Sequence, residues 1–476
     1  MVSGFGVIDY VVVLLTLALT AYFLATKPER LLLFLPAFLT IDFFIPLGSQ
    51  LTPSRLVPLM IGVWALVNYG AIRRGPHSSW IAAAFIIILV SFLYAIISGD
   101  AGVRPALRAL NYINLVLVFL FVLSTAKDQR TLAWAVWGLA IAGMLHGGYA
   151  AYQIVAYQTG LPFRGIVYNE FGAGAAVELA GAFRVNGLAD EPKRLGYILF
   201  TAAIAAAWLL TMPLSPRQRQ ILQTTAIGSL GVSLLTYSTS YYFVVAIWIA
   251  LYFLVAVWAR KMVLVAALLV VGIVVVSPSA LTTISDRFSQ IAEERSDEVS
   301  QGLDARFVYR QEFYAEELLK DNPILAFTGV GLGRYNRVIQ QEYGAGAGYG
   351  TGGSIMPLNS QVLEVVLDFG LPGLLLIYGA VVALIWRLGW RGHRRVLVGG
   401  IVSFLAIQSV LVGNLPYLAF SMGMAAAFLE LSKFRTRSGS AVRMAGPPRL
   451  DATLTPSRLT DTKRGQRQHA RARRLR

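Results

Sequence analysis

Arg184 and Arg194 bracket the acidic pair Asp190-Glu191, and Arg306 and Arg310 stand one helical turn apart in the longest polar stretch of the chain, Leu281 to Pro357. If that stretch is helical, the second pair shares a face. An arginine fork offers two donors to two oxygens, so arginines of this kind suit a phosphate or a diphosphate. The same cations could instead be held by Asp190, Glu191, Glu312 or Glu316 in surface ion pairs, which contribute little. Glu364, Asp190 and Glu191 can accept a proton. Asn359 is a neutral amide that can orient a hydroxyl but cannot act as a base. His146, in Met144-Leu145-His146-Gly147-Gly148, lies within an apolar run. There it is either a functional group or a neutral imidazole hydrogen-bonded across helices.

The elements that must position these groups are membrane spans. The chain of 476 residues is 56% hydrophobic and 14% charged, against about 45–50% and about 25% in soluble domains. Charge-poor runs recur that are long enough to cross a hydrocarbon core of roughly 30 Å as helices. They lack the alternation of barrel strands. The expected fold class is therefore all-α, a polytopic transmembrane bundle. Spans are expected near 7–26, 31–47, 55–72, 80–97, 108–125, 131–157, 195–212, 220–237, 240–258, 262–280, 369–387, 395–412 and 416–432, with a twelve-span count as the alternative.

Charge sorts the connections. Lys27/Arg30, Arg73/Arg74, Lys127/Arg130, Arg217/Arg219, Arg260/Lys261 and the arginines from Arg387 to Arg395 fall on alternate loops, which the positive-inside rule assigns to the cytoplasm. The long loops 157–192 and 281–357 then share the outer side. There the rule disfavours arginine, so Arg184, Arg194, Arg306 and Arg310 ask for a reason. Within the second loop a helix is expected from about Leu303 to Asp321, stopped by Asn322-Pro323. Its stripe Phe307, Gln311, Tyr314 and Leu318 could lie on the membrane surface. Residues 1–432 read as one membrane-embedded domain. The segment 433–476 reads as a disordered tail, with 13 lysines and arginines against Asp451 and Asp461. Beside a span, such a tail marks the cytoplasmic side rather than nucleic-acid binding, and it can touch anionic headgroups. There is no cysteine, hence no disulfide framework. The N-terminus lacks the basic region and cleavage site of a removable signal peptide.

Several chemistries are disfavoured. The chain has no Walker loop, no His-Glu-x-x-His and no nucleophile elbow, which argues against an ATP-driven pump. Gly329-x-Gly331-x-Gly333 has no strand before it and does not read as a dinucleotide site. No metal-ligand cluster is visible, so a metal-independent reaction without cofactors is expected.

Arg184-x-x-Gly187 with Pro192 ahead of a span, then Arg306, Pro323, Gly329-x-Gly331-x-Gly333 and Tyr335, then Asn359-Ser360-x-x-Leu363 and Asp368-x-Gly370-x-x-Gly373, resemble the bacterial O-antigen ligase and O-antigen polymerase superfamily. The resemblance runs from Arg184 to Gly373. It implies a helical membrane glycosyltransferase without a nucleotide-sugar domain, in the bacterial inner membrane. Its substrate would be an undecaprenyl-diphosphate-linked oligosaccharide at the periplasmic face. Its partners would be membrane lipids, a chain-length regulator and a flippase, with no nucleic acid. Polymerases extend one lipid-linked chain with another repeat, and ligases move a chain to lipid A core.

Two departures favour polymerisation of O-antigen or exopolysaccharide over ligation. Asn359-Ser360 stands where ligases carry His-Asn, and Thr236-Tyr237-Ser238-Thr239-Ser240 lacks a second ligase arginine. Arg337 to Gly348 has an Arg-x10-Gly spacing that resembles one in polymerases, although a Gly-rich stretch yields it readily by chance. In the expected reaction Arg184 and Arg306 stabilise charge developing on the leaving diphosphate. Arg194 and Arg310 support them, Asn359, Asp190 and Glu191 bind substrate, and Glu364 orients or deprotonates the acceptor. The rival from another class is a secondary transporter or oligosaccharide flippase. That would show related halves and a midplane site, whereas polar residues here concentrate in outer loops.

Overall fold

The computed structural model describes residues 6–41, 52–68, 77–99, 103–163, 178–179, 182–189, 191–255, 307–344, 358, 360–389, 392–409 and 414–437. All of them belong to one compact unit, residues 1–440. The helices are α1 (Gly6–Thr26), α2 (Pro28–Leu31), α3 (Leu35–Phe38), α4 (Pro53–Val67), α5 (Ser78–Ile97), α6 (Val103–Thr125), α7 (Gln129–Thr159), α8 (Pro192–Leu209), α9 (Pro216–Leu234) and α10 (Thr239–Val255). They continue with α11 (Phe307–Asp321), α12 (Ile324–Thr328), α13 (Tyr335–Tyr343), α14 (Gln361–Leu388), α15 (His393–Gln408) and α16 (Leu415–Arg437). The one exception among the described residues is a two-residue antiparallel hairpin, β1 (Glu178–Leu179) with β2 (Ala182–Phe183). The chain is an all-α polytopic membrane protein.

Among the described residues α5, α6, α7, α14 and α16 are long and apolar enough to cross a membrane, and α1, α4 and α10 contain shorter apolar helices. Every expected span with described residues falls on helix except 31–47. There the chain makes two four-residue helices, α2 and α3, each with proline in its first turn. Leu31, Leu32, Leu35 and Leu39 are fully buried. Hydropathy registers that burial but not the break, so 31–47 is corrected at least as far as Ile41. The expected span 262–280 lies outside the described residues. So do Asp42, the Gly-rich run from Ala345 on, and the basic tail beyond Arg437, which α16 enters.

Local sequence sets the helix ends. Asp128 and Thr131 form a capping box at the start of α7, with bonds of 2.8 and 3.1 Å. Ser215 and Gln218 do the same for α9, each satisfying otherwise orphaned backbone donors. Pro192 opens α8, where its missing N–H costs nothing. The expected loop helix is present as α11 and stops at Asp321 before Asn322-Pro323.

Short connections alternate between the two ends of the bundle. The turns α5–α6 and α9–α10, the start of α8 and the start of α14 therefore meet at one end, called here the loop end. α6 packs on α4, α5 and α16, α7 on α8 and α9, and α14 on α5, α12 and α15. Phe200, Trp248 and Phe404 tie α8, α10 and α15 together, with ring centroids 4.5 Å apart for Phe200–Phe404 and 5.3 Å for Phe200–Trp248.

Candidate functional site

Two polar clusters sit at the loop end. The first is built on the turn that carries Arg184. Gln153 of α7, fully buried, receives the backbone N–H of Gly187 at 2.8 Å and that of Asn186 at 3.3 Å, and donates to the Asn186 side chain at 2.8 Å. Gly187 has φ +60, and a Cβ there would lie 2.8 Å from Leu195 and 3.0 Å from the His146 carbonyl. Only glycine lets the turn seat this closely. Phe183 stacks on Tyr157 at 4.3 Å. The turn is thus fixed from both sides, and Arg184 Nε donates to the Thr236 carbonyl of the α9–α10 turn at 3.3 Å. Next to Thr236, Tyr237 has φ 45, a conformation that costs a bulky residue of order 1–3 kcal/mol.

Glu191 precedes the first residue of α8 and pairs with Lys193 at 2.9 Å. Burial would raise its carboxyl, but Lys193, Arg194 and Arg184 together hold it below the usual carboxylate range. Arg184, Glu191 and Arg194 are therefore brought to one locus. His146 is fully buried, with Nε2 3.0 Å from the Thr40 hydroxyl. Of the two sequence readings, this is the geometry of the cross-helix hydrogen bond.

The second cluster centres on Arg108, in the second turn of α6. Its guanidinium Nη2 pairs directly with Glu364, its Nε lies 3.9 Å from Asp368, and Nη2 donates to the Tyr335 hydroxyl at 3.3 Å. Tyr335 donates to Glu364 at 3.4 Å. Its hydroxyl is pushed up to about 12, chiefly by burial. Asp368 is fully buried and accepts from the Gly333 N–H and the Tyr112 hydroxyl, both at 2.9 Å. The arginine holding Glu364 is Arg108, from a helix far upstream in the chain. Around the neighbouring α5–α6 turn, Arg334 lies over the Tyr94 ring at 5.6 Å, and Arg337 donates to the Gly99 carbonyl at 3.0 Å.

Gly329-x-Gly331-x-Gly333 is the turn that docks this segment. Val330 N–H bonds the Leu367 carbonyl at 2.6 Å. A Cβ on Gly329 would lie 2.8 Å from Gly370 N, and one on Gly331 2.9 Å from Tyr94. Gly370 itself breaks α14 with φ 67 and ψ −162. That region is essentially restricted to glycine, and a Cβ there would stand 2.2 Å from the Phe327 carbonyl. Gly370→Ala is expected to lower the thermal midpoint markedly, the backbone strain and the overpacking each costing about 1–3 kcal/mol. Gly379→Ala, in the same helix with open space around it, should leave the midpoint unchanged or slightly raised, as intrinsic tryptophan fluorescence would read.

Of the residues singled out in sequence, Arg306, Asn359 and Asp190 lie outside the described residues. Arg310 is in the first turn of α11, and its side chain is not described. The stripe on α11 does not face the membrane where it can be seen. Leu318 is buried with Ala315 against Val330, Tyr335, Ile339 and Leu367, because the docked Gly-rich turn folds α13 back onto α11. Sequence reasoning missed Arg108. The signal was available: Arg104 precedes and Arg108 opens the expected span 108–125, at the end opposite Lys127 and Arg130, where arginine is disfavoured.

Residues 224–378 match the family model described as O-antigen ligase. The matched segment begins within α9, ends within α14, and holds Thr236, the Gly-rich turn, Glu364 and Asp368. Arg108, Arg184 and Arg194 precede it. No curated protein matches the chain.

Proposed function

We propose, for a chain whose residues 224–378 match the family model described as O-antigen ligase, that it polymerises undecaprenyl-diphosphate-linked oligosaccharide repeats at the periplasmic face of the inner membrane. The observation that carries the proposal is the arginine fixed at the loop end. Arg184 and Arg194 gather around Glu191, and Arg108, Arg334 and Arg337 around the α5–α6 turn. A translocated membrane face is ordinarily poor in basic residues, and a donor whose leaving group is a diphosphate needs fixed cations there.

In this reading Arg184 and Arg306 stabilise the diphosphate as the glycosidic bond breaks, with Arg194 and Arg310 beside them. Asp190, Glu191 and Asn359 position sugar hydroxyls. Glu364, held by Arg108 and Tyr335, orients the acceptor hydroxyl or takes its proton. Polymerisation is favoured over transfer to lipid A core because no second arginine stands in Thr236–Ser240 and Asn359-Ser360 replaces His-Asn. In that stretch the Thr236 carbonyl accepts from Arg184 Nε.

Glycan analysis of a strain lacking the chain tests this. Polymerase activity predicts that polymer disappears while single repeats persist. Full-length polymer that accumulates unattached to lipid A core would make the chain a ligase, and accumulation of repeats on the cytoplasmic side would make it a transporter.

A further inference from the structure

Helix α12 lies deeper in the bundle than its place in a connecting loop suggests. Ser91 of α5 donates to the Asp368 carbonyl at 2.7 Å, which sets α14 against α5 in depth. From Ser91, α5 continues six residues toward the loop end, to Ile97, a rise of about 9 Å. That last stretch still belongs to the apolar span, and Leu93, Tyr94 and Ile97 are exposed on it. Gly370, where the Phe327 carbonyl packs, is two residues further from the loop end than Asp368. α12 therefore stands at a level where α5, which packs on the same helix α14, is still crossing the apolar layer.

Its surface fits that level. α12 buries none of its residues, and Ile324 and Phe327 are 69% and 61% exposed. On α14 below, Leu375, Val382 and Trp386 are exposed along the helix. Irregular backbone at membrane depth must find its partners within the protein. Here Leu325 N–H bonds Asn322 O at 2.9 Å, Ala326 bonds Pro323 O at 3.1 Å, Gly329 bonds Leu325 O at 2.8 Å, and Val330 bonds Leu367 O. The polar residues just before it, Lys320 and Asp321, are exposed and engaged with Glu317 at 2.6 Å and Tyr343 at 2.8 Å.

We propose that Asn322 to Gly333 is a re-entrant loop, with Ile324 and Phe327 of α12 embedded among the lipid acyl chains of the leaflet at the loop end. The segment bearing Arg334, Tyr335 and Arg337 is thereby pinned at headgroup depth from below as well as by its contacts with α5 and α6. The proposal concerns the bilayer alone and stands whatever substrate the site takes.

The absence of cysteine makes single-site labelling direct. Ile324→Cys and Phe327→Cys would be nitroxide-labelled in the full chain, reconstituted in phosphatidylcholine liposomes, and tested for collision with oxygen and with a water-soluble nickel chelate. Val382→Cys marks lipid and Lys320→Cys marks water. Both α12 positions should follow Val382, with oxygen collisions dominant. Nickel dominance at either position would place α12 in water. Low collision with both reagents would mean that protein, such as a second copy of the chain, covers it. Either result overturns the proposal.

Discussion

Replacing Arg184 by alanine is expected to reduce glycan transfer by on the order of 10²–10³-fold, the usual loss when one fixed donor to a developing anion is removed, with the protein still inserted and abundant. The turn around it owes its place to Gln153, to the Gly187 contact and to Phe183 on Tyr157, none of which needs the guanidinium. Its Nε bond to the Thr236 carbonyl raises the competing possibility of a strap between two turns. Arg184→Gln separates the two roles, since an amide can still donate to that carbonyl but carries no charge. A strap predicts near-normal transfer from the glutamine variant, and phosphate stabilisation predicts a loss close to that of alanine. Arg184→Lys should recover little, because a point charge on a flexible stem does not reproduce the planar fork. Transfer on purified lipid-linked repeats would decide, and full activity in the alanine variant would remove Arg184 from the reaction.

Much of the architecture was legible because a lipid environment leaves few options. Apolar length, charge-sorted connections and proline at helix starts located the helices on which the site stands. The break at α2–α3 was not legible, since Leu31, Leu32, Leu35 and Leu39 are buried whether or not the helix is continuous. Arg184, Glu191 and Arg194 fall together because they are close in sequence around the opening of α8. The surroundings of Glu364 were hidden because Arg108 and Tyr112 come from a helix far upstream. Pairing over that distance is set by how α6 packs beside α14, which one sequence does not state. The glycines of 329–333 could be denied a nucleotide role from the missing strand, but their actual role depends on the kink at Gly370 that they meet. Arg306, Asn359 and Asp190 rest on the sequence argument alone.

Arg108→Ala is the substitution expected to cost the most stability. It would leave Glu364 and the fully buried Asp368 facing each other without their cation. Breaking a buried pair from one side typically costs about 3–5 kcal/mol, and the thermal midpoint in detergent should fall accordingly. Glu364→Gln should cost less, since Arg108 still faces Asp368 and the amide can still accept from Tyr335. The double replacement Arg108→Met with Glu364→Gln removes both charges together. It leaves Asp368 its Gly333 N–H and Tyr112 hydroxyl, so it should recover much of the midpoint lost in Arg108→Ala. An Arg108→Ala protein as stable as the parent would mean that the cluster is solvated and does not hold the segment 329–335 in place. Activity then separates scaffold from chemistry. If Glu364 only anchors α14 to α6, Glu364→Gln retains near-normal transfer once folded, and the proton acceptor must be sought at Asp190 or Glu191. If Glu364 handles the acceptor hydroxyl, Glu364→Gln loses more transfer than Asn359→Ala, because a neutral amide restores the hydrogen bond but not the capacity to take a proton.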